Sequence, residues 1–267
     1  FSRVLLCFST FMLELSIIHP LFNFYMKYQQ LTRLFVQGSL ENQTYALSNL
    51  TDIHYLTKVM RKKVNDHVLV FNEEFGEYLA KIIELANKKI IFSLEEQTRK
   101  TERQLKLNLI FAPIKHPRIN FLLEKATELG VNELIPVVTK HTIIDKINYD
   151  KWSIYTKEAA EQCCRLSLPK ISPIQKFDDF IETWSKNREI LFCNEREESL
   201  HISTYLKTKA SLGEVNIMIG PEGGFSAQEI EMLKSKKFTT SIHLGERILR
   251  AETAALAALS IGGMFLL

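Results

Sequence analysis

Residues 217–226, Ile217-Met218-Ile219-Gly220-Pro221-Glu222-Gly223-Gly224-Phe225-Ser226, pass from a fully apolar strand pattern into a glycine-rich turn and on to a helix start. Ser226 and Glu229 stand at capping-box spacing there. Glycines let a backbone approach a ligand closely and adopt positive φ, and ligands of open α/β sheets bind beyond the carboxyl ends of the strands. The turn lacks the Gly-Lys-Ser/Thr ending of a P-loop and is not Gly-x-Gly-x-x-Gly. On shape alone, a tight structural turn explains it equally well. A second segment repeats the theme: Leu244-Gly245-Glu246-Arg247-Ile248-Leu249-Arg250-Ala251-Glu252-Thr253-Ala254 ends a strand at glycine, crosses a short charged loop and opens a helix. Glu252 and Thr253 then fall in a first helical turn, where free backbone N–H groups favour polar partners. The plain alternative is that the arginines are solvated and Glu252 only caps. Glu158, Glu161, Gln162 and Arg165 recur at i, i+3, i+4 and i+7, which predicts one polar helix face, by itself a solvent-facing stripe. Arg118, Lys125 and Glu128 lie in a further stretch that reads as a solvated face.

The elements that must position these residues follow from periodicity. Residues 31–98 read as mostly β, with runs at Leu34–Val36, Val68–Phe71 and Lys89–Phe92, turns at Gly76 and Asn65-Asp66, and a short helix over Ile53–Val59. So many short strands in so few residues suggest a small barrel, assigned to residues 26–98. Residues 94–104 are polar throughout and mark the domain boundary. From residue 104 to 267 strands alternate with helices. The strands are Leu105–Phe111, Leu134–Val138, Ile190–Cys193, Val215–Ile219 and Ile242–Leu244. The helices are Ile119–Leu129, stopped by Gly130, then Trp152–Leu166, Phe177–Trp184, Ser226–Lys236 and Ala251–Leu267. That alternation predicts an α/β domain with a parallel sheet covered on both faces.

Composition narrows the class without choosing a function. The chain has 267 residues, 46% hydrophobic and 24% charged, with a formal net charge of +3, as expected for a globular protein and compatible with an RNA partner without requiring one. Four cysteines (Cys7, Cys163, Cys164, Cys193) form no C-x-x-C pair and no metal-ligand spacing, which favours reduced packing thiols in the cytoplasm and no metal. Phe1–Tyr25 is strongly apolar, but Glu14 and His19-Pro20 interrupt it short of a good membrane span. We read it as translated sequence ahead of a start at Met26, a signal or anchor segment and a native extension being the alternatives.

Together, Lys125-Ala-Thr-Glu-Leu-Gly-Val131, Glu161-Gln-x-x-Arg165 with Pro169, Gly220-Pro-Glu-Gly-Gly-Phe225 and Leu244-Gly-x-Arg-Ile-Leu-Arg-x-Glu-Thr-Ala254 resemble the ribosomal RNA small subunit methyltransferase E family, uridine-N3 methyltransferases of the SPOUT superfamily. The resemblance spans roughly residues 31–267. It implies an N-terminal PUA-like barrel that binds RNA, a C-terminal α/β domain with a trefoil knot, and a homodimer whose subunits share each site. It also implies S-adenosylmethionine held largely through backbone groups of Gly220, Pro221, Glu222, Gly223 and Gly224, of Leu244, Gly245, Ile248 and Leu249, with Thr253 and a third loop near Asn194 and Glu195. The substrate is then small-subunit ribosomal RNA. Its uridine N3 must lose a proton, so a cation should stabilise the anionic base. Arg250, Arg118 and Arg165 are the candidates, and Glu252 is a suggestion for the base, which stays open. Arg61, Lys62 and Lys63 are placed to meet phosphate, with Lys125 as a further RNA contact. The sequence departs from the family pattern at His54-Tyr-Leu-Thr-Lys-Val-Met60-Arg61, at Asn65-Asp66 where Gly-Asp is usual, and at Cys163 where serine is usual. Asn tolerates the left-handed conformation, so the turn should survive. A non-catalytic RNA-binding module, and a related enzyme acting on ribose 2′-O or transfer RNA, are the rival readings.

Overall fold

The computed structural model describes residue 28 and residues 30–101, 103–194, 199–209 and 213–266. The apolar segment Phe1–Tyr25 and Glu195 lie outside the described residues. The chain divides into two compact units, one built from residues up to Phe71 with Glu77–Thr98, the other from Asn72–Gly76 with the residues from Arg99 onward.

In the first unit β1 (Arg33–Phe35), β2 (Thr44–Leu47), β3 (His67–Asn72), β4 (Gly76–Ala86) and β5 (Lys89–Arg99) form one sheet in the order β1-β3-β4-β5-β2. β1 runs parallel to β3 and β2 antiparallel to β5. Inward residues Leu34, Val68, Val70, Ile82, Ile90 and Phe92 are fully or almost fully buried. α1 (Leu50–His54) starts where the Asn49 side chain accepts the N–H groups of Thr51 and Asp52, and it continues into one π turn, Tyr55–Val59. Asn65 takes φ +77°, the left-handed turn that asparagine permits at low cost. β5 runs on through Arg99, so the polar stretch after Phe92 is a strand for much of its length.

The second unit is a parallel sheet. Its strands are β6 (Leu107–Phe111), β7 (Glu133–Val138), β8 (Lys170–Ile171), β10 (Ile190–Cys193), β11 (Leu200–His201), β12 (Val215–Ile219) and β13 (Thr239–His243), in the order β11-β13-β10-β12-β6-β7-β8, with β9 (Gln175–Lys176) beside β7. Side chains alternate cleanly across it. Leu107, Leu109 and Phe111 of β6 and Val215, Ile217 and Ile219 of β12 face one core, while Ile110 and Met218 face the other. The first core receives α2 (Arg118–Glu128), α3 (Tyr149–Gln162), α5 (Ile202–Lys207) and α7 (Ala251–Met264). The second receives α4 (Phe177–Thr183) and α6 (Ala227–Ser235).

The helix after β6 therefore covers one face, and the helix after the adjacent β12 covers the other. Such a reversal opens a crevice beyond the carboxyl ends of the two strands, the place where open α/β sheets bind ligands. At the opposite edge, Asn108 Nδ2 donates to Asn216 Oδ1 (2.8 Å) and Glu214 Oε1 (2.9 Å), and Arg188 closes the network on Glu214.

Helix bounds shift by a few residues from those expected, most at α3, which runs Tyr149–Gln162 in place of Trp152–Leu166. α3 ends at Gln162, because Cys163 caps it and Cys164 takes φ +61°, outside helical space. Arg165 therefore leaves the predicted face shared with Glu158, Glu161 and Gln162 and turns inward. Elsewhere α7 lies so close to the sheet that a Cβ on Gly262 would stand 3.1 Å from Val215, 3.2 Å from Ile217 and 3.3 Å from Leu107. Gly262→Val is expected to destabilise the domain by about 1–3 kcal/mol, the usual cost of overpacking, seen as a lower urea midpoint at unchanged slope.

Candidate functional site

The glycine-rich turn is built by β12 and held by its surroundings. All five β12 residues are buried, and the strand delivers Gly220, where a Cβ would stand 3.1 Å from the Phe225 ring. The Gly224 N–H donates to the Pro221 carbonyl at 2.9 Å, and Gly224 takes φ +68°. The left-handed residue of this turn is thus Gly224, while Gly223 is constrained by space. A Cβ there would stand 3.1 Å from Cβ of His141. The capping box forms as its spacing predicts, with Ser226 N–H donating to Glu229 Oε2 (2.7 Å) and Glu229 N–H to Ser226 Oγ (3.3 Å). Glu229 also accepts the Lys140 N–H at 2.7 Å. His141 Nδ1 lies 3.0 Å from the Gly224 carbonyl, which it reaches as donor in the tautomer bearing Nδ1–H. The loop after β7 thus props the turn from outside. No sequence signal marked Lys140 or His141, beyond their position just after a strand on the carboxyl edge.

The second loop leaves β13 at His243. Gly245 takes φ +120°, and its N–H donates to His243 Nδ1 at 3.1 Å. Leu244 and Leu249 are half-buried, whereas Ile248 is 84% exposed. Arg250 stands in extended conformation at the N-cap of α7, and its carbonyl accepts the Ala254 N–H at 2.8 Å. The Arg250 side chain is exposed and forms no ion pair with Glu246 or Glu252 among the described residues. Thr253 is exposed in the first turn, while Glu252 beside it is buried at 7% exposure.

Of the three arginines, Arg118 joins the segments. At the start of α2, its Nη1 lies 3.2 Å from Glu222 Oε1 in the glycine-rich turn and 3.9 Å from Glu252 Oε2 in α7. Arg165 goes elsewhere. It donates from Nη1 to the Thr127 carbonyl (3.2 Å) and from Nε to Ser167 Oγ (3.0 Å), near the other end of α2, about 14 Å along the helix from Arg118 at 1.5 Å per residue. Burial pulls its pKa down to about 10, which leaves it a cation at neutral pH.

The proposed RNA contacts differ in availability. Arg61 and Lys63 are exposed. Lys62 is half-buried, with Nζ 3.5 Å from the His67 carbonyl. Lys125 is held 2.8 Å from both Glu124 and Glu128, whose hydrogen bonds push its pKa up and whose charges offset its own. Among the described residues no group of three or more His, Cys, Asp or Glu side chains is placed to hold a metal ion, and no helix is long and apolar enough to cross a membrane.

The chain has recognisable relatives. A family model described as an RNA methyltransferase domain matches residues 101–262, and one described as an RNA methyltransferase PUA domain matches residues 47–95. The ribosomal RNA small subunit methyltransferase E of Rickettsia conorii is 34% identical over 236 residues, covering 88% of this chain and 95% of that protein. The protein of the same name from Buchnera aphidicola is 31% identical over 245 residues, covering 87% and 95%. Among solved structures, the ribosomal RNA small subunit methyltransferase E of Neisseria gonorrhoeae, bound to S-adenosyl methionine, is similar with a TM-score of 0.76 at 25% identity, covering 86% of this chain and 95% of that one. With the family model matching well over half of the chain, and relatives above 30% identity spanning nearly all of their own length, the chain belongs to the ribosomal RNA small subunit methyltransferase E family.

Proposed function

We propose that this protein transfers a methyl group from S-adenosylmethionine to N3 of a uridine in small-subunit ribosomal RNA, acting as a homodimer in the cytoplasm. The observation that carries the reading is the convergence of Gly220–Gly224 and the start of α7 at the carboxyl edge of the sheet, joined by Arg118, in a chain of this family. The site suits a ligand gripped through main-chain groups. A side chain at Gly223 would crowd His141, and Gly224 and Gly245 adopt positive-φ conformations that glycine takes at least cost. Bound there, S-adenosylmethionine supplies a methyl already activated by its sulfonium, so the protein's work is positioning and charge control. Arg250, with no carboxylate partner among the described residues, supplies positive charge toward the base as N3 loses its proton. Arg61 and Lys63 meet the RNA phosphates, Lys62 less so, and Lys125 contributes little because Glu124 and Glu128 offset it. A knotted chain path belongs to the same proposal. β13, the last strand in sequence, pairs with both β10 and β11 and lies between them, as it would if the chain passed through its own earlier loop.

The test is nucleoside mass mapping of ribosomal RNA from a strain lacking the gene. Small-subunit RNA is expected to lose one 3-methyluridine and to regain it when the gene is restored. An unchanged nucleoside profile overturns the reading.

A further inference from the structure

Glu252 has a property that helix capping does not explain. An acidic residue in a first helical turn is stabilised by the helix dipole while still bathed in water. Glu252 is instead buried, with its side chain 9% exposed, and its Oε2 has no hydrogen-bond partner among the described residues. Burying a carboxylate oxygen without a partner is costly, so it persists where a ligand completes it. Arg118 stands 3.9 Å from that same oxygen, too far to donate to it.

The geometry points to Glu252 as the group that accepts the N3 proton of the target uracil, with Arg118 reading the adjacent carbonyl. This rests on the functional reading above. A uracil edge presents an N–H donor flanked by carbonyl acceptors, and a carboxylate beside a guanidinium is its complement. Cytosine offers a bare acceptor at N3 and would face Glu252 acceptor to acceptor. An amino-acid zwitterion would also match a carboxylate and a guanidinium in shape. However, Glu222 at 3.2 Å already offsets the Arg118 charge, so the cluster of Glu222, Arg118 and Glu252 carries net negative charge and disfavours a third carboxylate. The neutral uracil meets no such penalty. In the reaction, the N3–H proton moves to Glu252 Oε2, and the N3 electron pair forms the bond to the methyl carbon. The carbon–sulfur bond breaks with its electrons passing to sulfur, and the carboxylic acid then returns its proton to solvent. Proton transfer moves the negative charge from carboxylate to base without changing the total, and Arg118 lies close enough to attract it in either place.

The experiment compares wild type, Glu252→Gln and Glu252→Asp on small ribosomal subunits from the gene-lacking strain. It measures single-turnover methylation from pH 6 to 10, with S-adenosylmethionine affinity by calorimetry and thermal melting in parallel. Glu252→Gln keeps the shape but cannot take a proton, so its neutral-pH rate is expected to fall about 10²-fold, the usual scale of general-base catalysis. Donor affinity should stay within about twofold. The loss should shrink as pH rises, because solvent base then removes the N3 proton. Glu252→Asp, which keeps a base, should recover part of the rate without that alkaline dependence. A Glu252→Gln rate near wild type overturns the inference. So does a loss confined to donor affinity, which reassigns Glu252 to the donor pocket. If Glu252→Gln fails to melt cooperatively, Glu252→Asp decides alone: a lowered rate at unchanged donor affinity supports the role, and an unchanged rate ends it. Inactive wild type on this substrate ends the functional reading and the inference with it, whereas active wild type matched by Glu252→Gln ends the inference only.

Discussion

Arg250→Ala is expected to slow methyl transfer by about 10²- to 10³-fold, the scale seen when one preorganised electrostatic stabiliser is removed. The side chain stands at the junction of the Leu244–Leu249 loop and α7, exposed and with no carboxylate partner among the described residues, so its charge is available to a ligand. The charge it meets develops only as uridine N3 is deprotonated. An interaction that strengthens toward the transition state lowers turnover when lost, not ground-state affinity. Donor binding should therefore change little, and Arg250→Lys should rescue only part of the rate, since an ammonium lacks the planar fork of donors. Single-turnover rates on ribosomal subunits, with calorimetric donor binding alongside, separate the outcomes. Near wild-type turnover removes Arg250 from catalysis, and a large loss of donor affinity moves it into the cofactor pocket.

Gly223→Val is expected to weaken S-adenosylmethionine binding by about 10²-fold while the domain still folds. The first branch atom would stand 3.1 Å from His141, so either that side chain or the turn must move. His141 also contacts the Gly224 carbonyl, so displacing it disturbs the adjoining left-handed residue. Overpacking of this kind costs about 1–3 kcal/mol, and each 1.4 kcal/mol is tenfold in affinity. The turn lies at a strand end and not within a core cluster, so melting should shift less than affinity does. Unchanged affinity would take the turn out of the donor site.

Local signals made much of the sheet legible. Ile217–Ile219 and Ile190–Cys193 are continuous apolar runs, and burial on both faces of a parallel sheet demands that pattern. The capping pair Ser226 and Glu229 likewise encodes its own helix start. What escaped depends on distant partners. β4 contains Tyr-Leu-Ala-Lys-Ile-Ile-Glu-Leu-Ala, rich in good helix formers, and its position between β3 and β5 overrides that preference. The polar half of β5 is stabilised by contacts no window contains, such as His67 with Glu95 (3.0 Å) and Thr98 with Glu77 (3.0 Å). At the candidate site, the two glycine-bearing loops announce themselves. The pairing of Arg118 with Glu222 and Glu252 does not, because it joins residues far apart in sequence. The inward turn of Arg165 was equally hidden, since a cysteine pair carries no helix-stop signal.

The position of β13 between β10 and β11 also bears on synthesis. A chain emerging from the ribosome presents β6 to β12 first, and these can begin to assemble while the rest is still being made. The gap between β10 and β11 stays unfilled until β13 appears, and the first core lacks its α7 contribution until Ala251, Ala255, Ala258 and Leu259 have cleared the exit tunnel. Arg250 and Glu252 arrive in that same last segment. The nascent chain therefore carries the glycine-rich turn well before it can complete the site, and a polypeptide stalled ahead of β13 should be inert toward the ribosome that is making it.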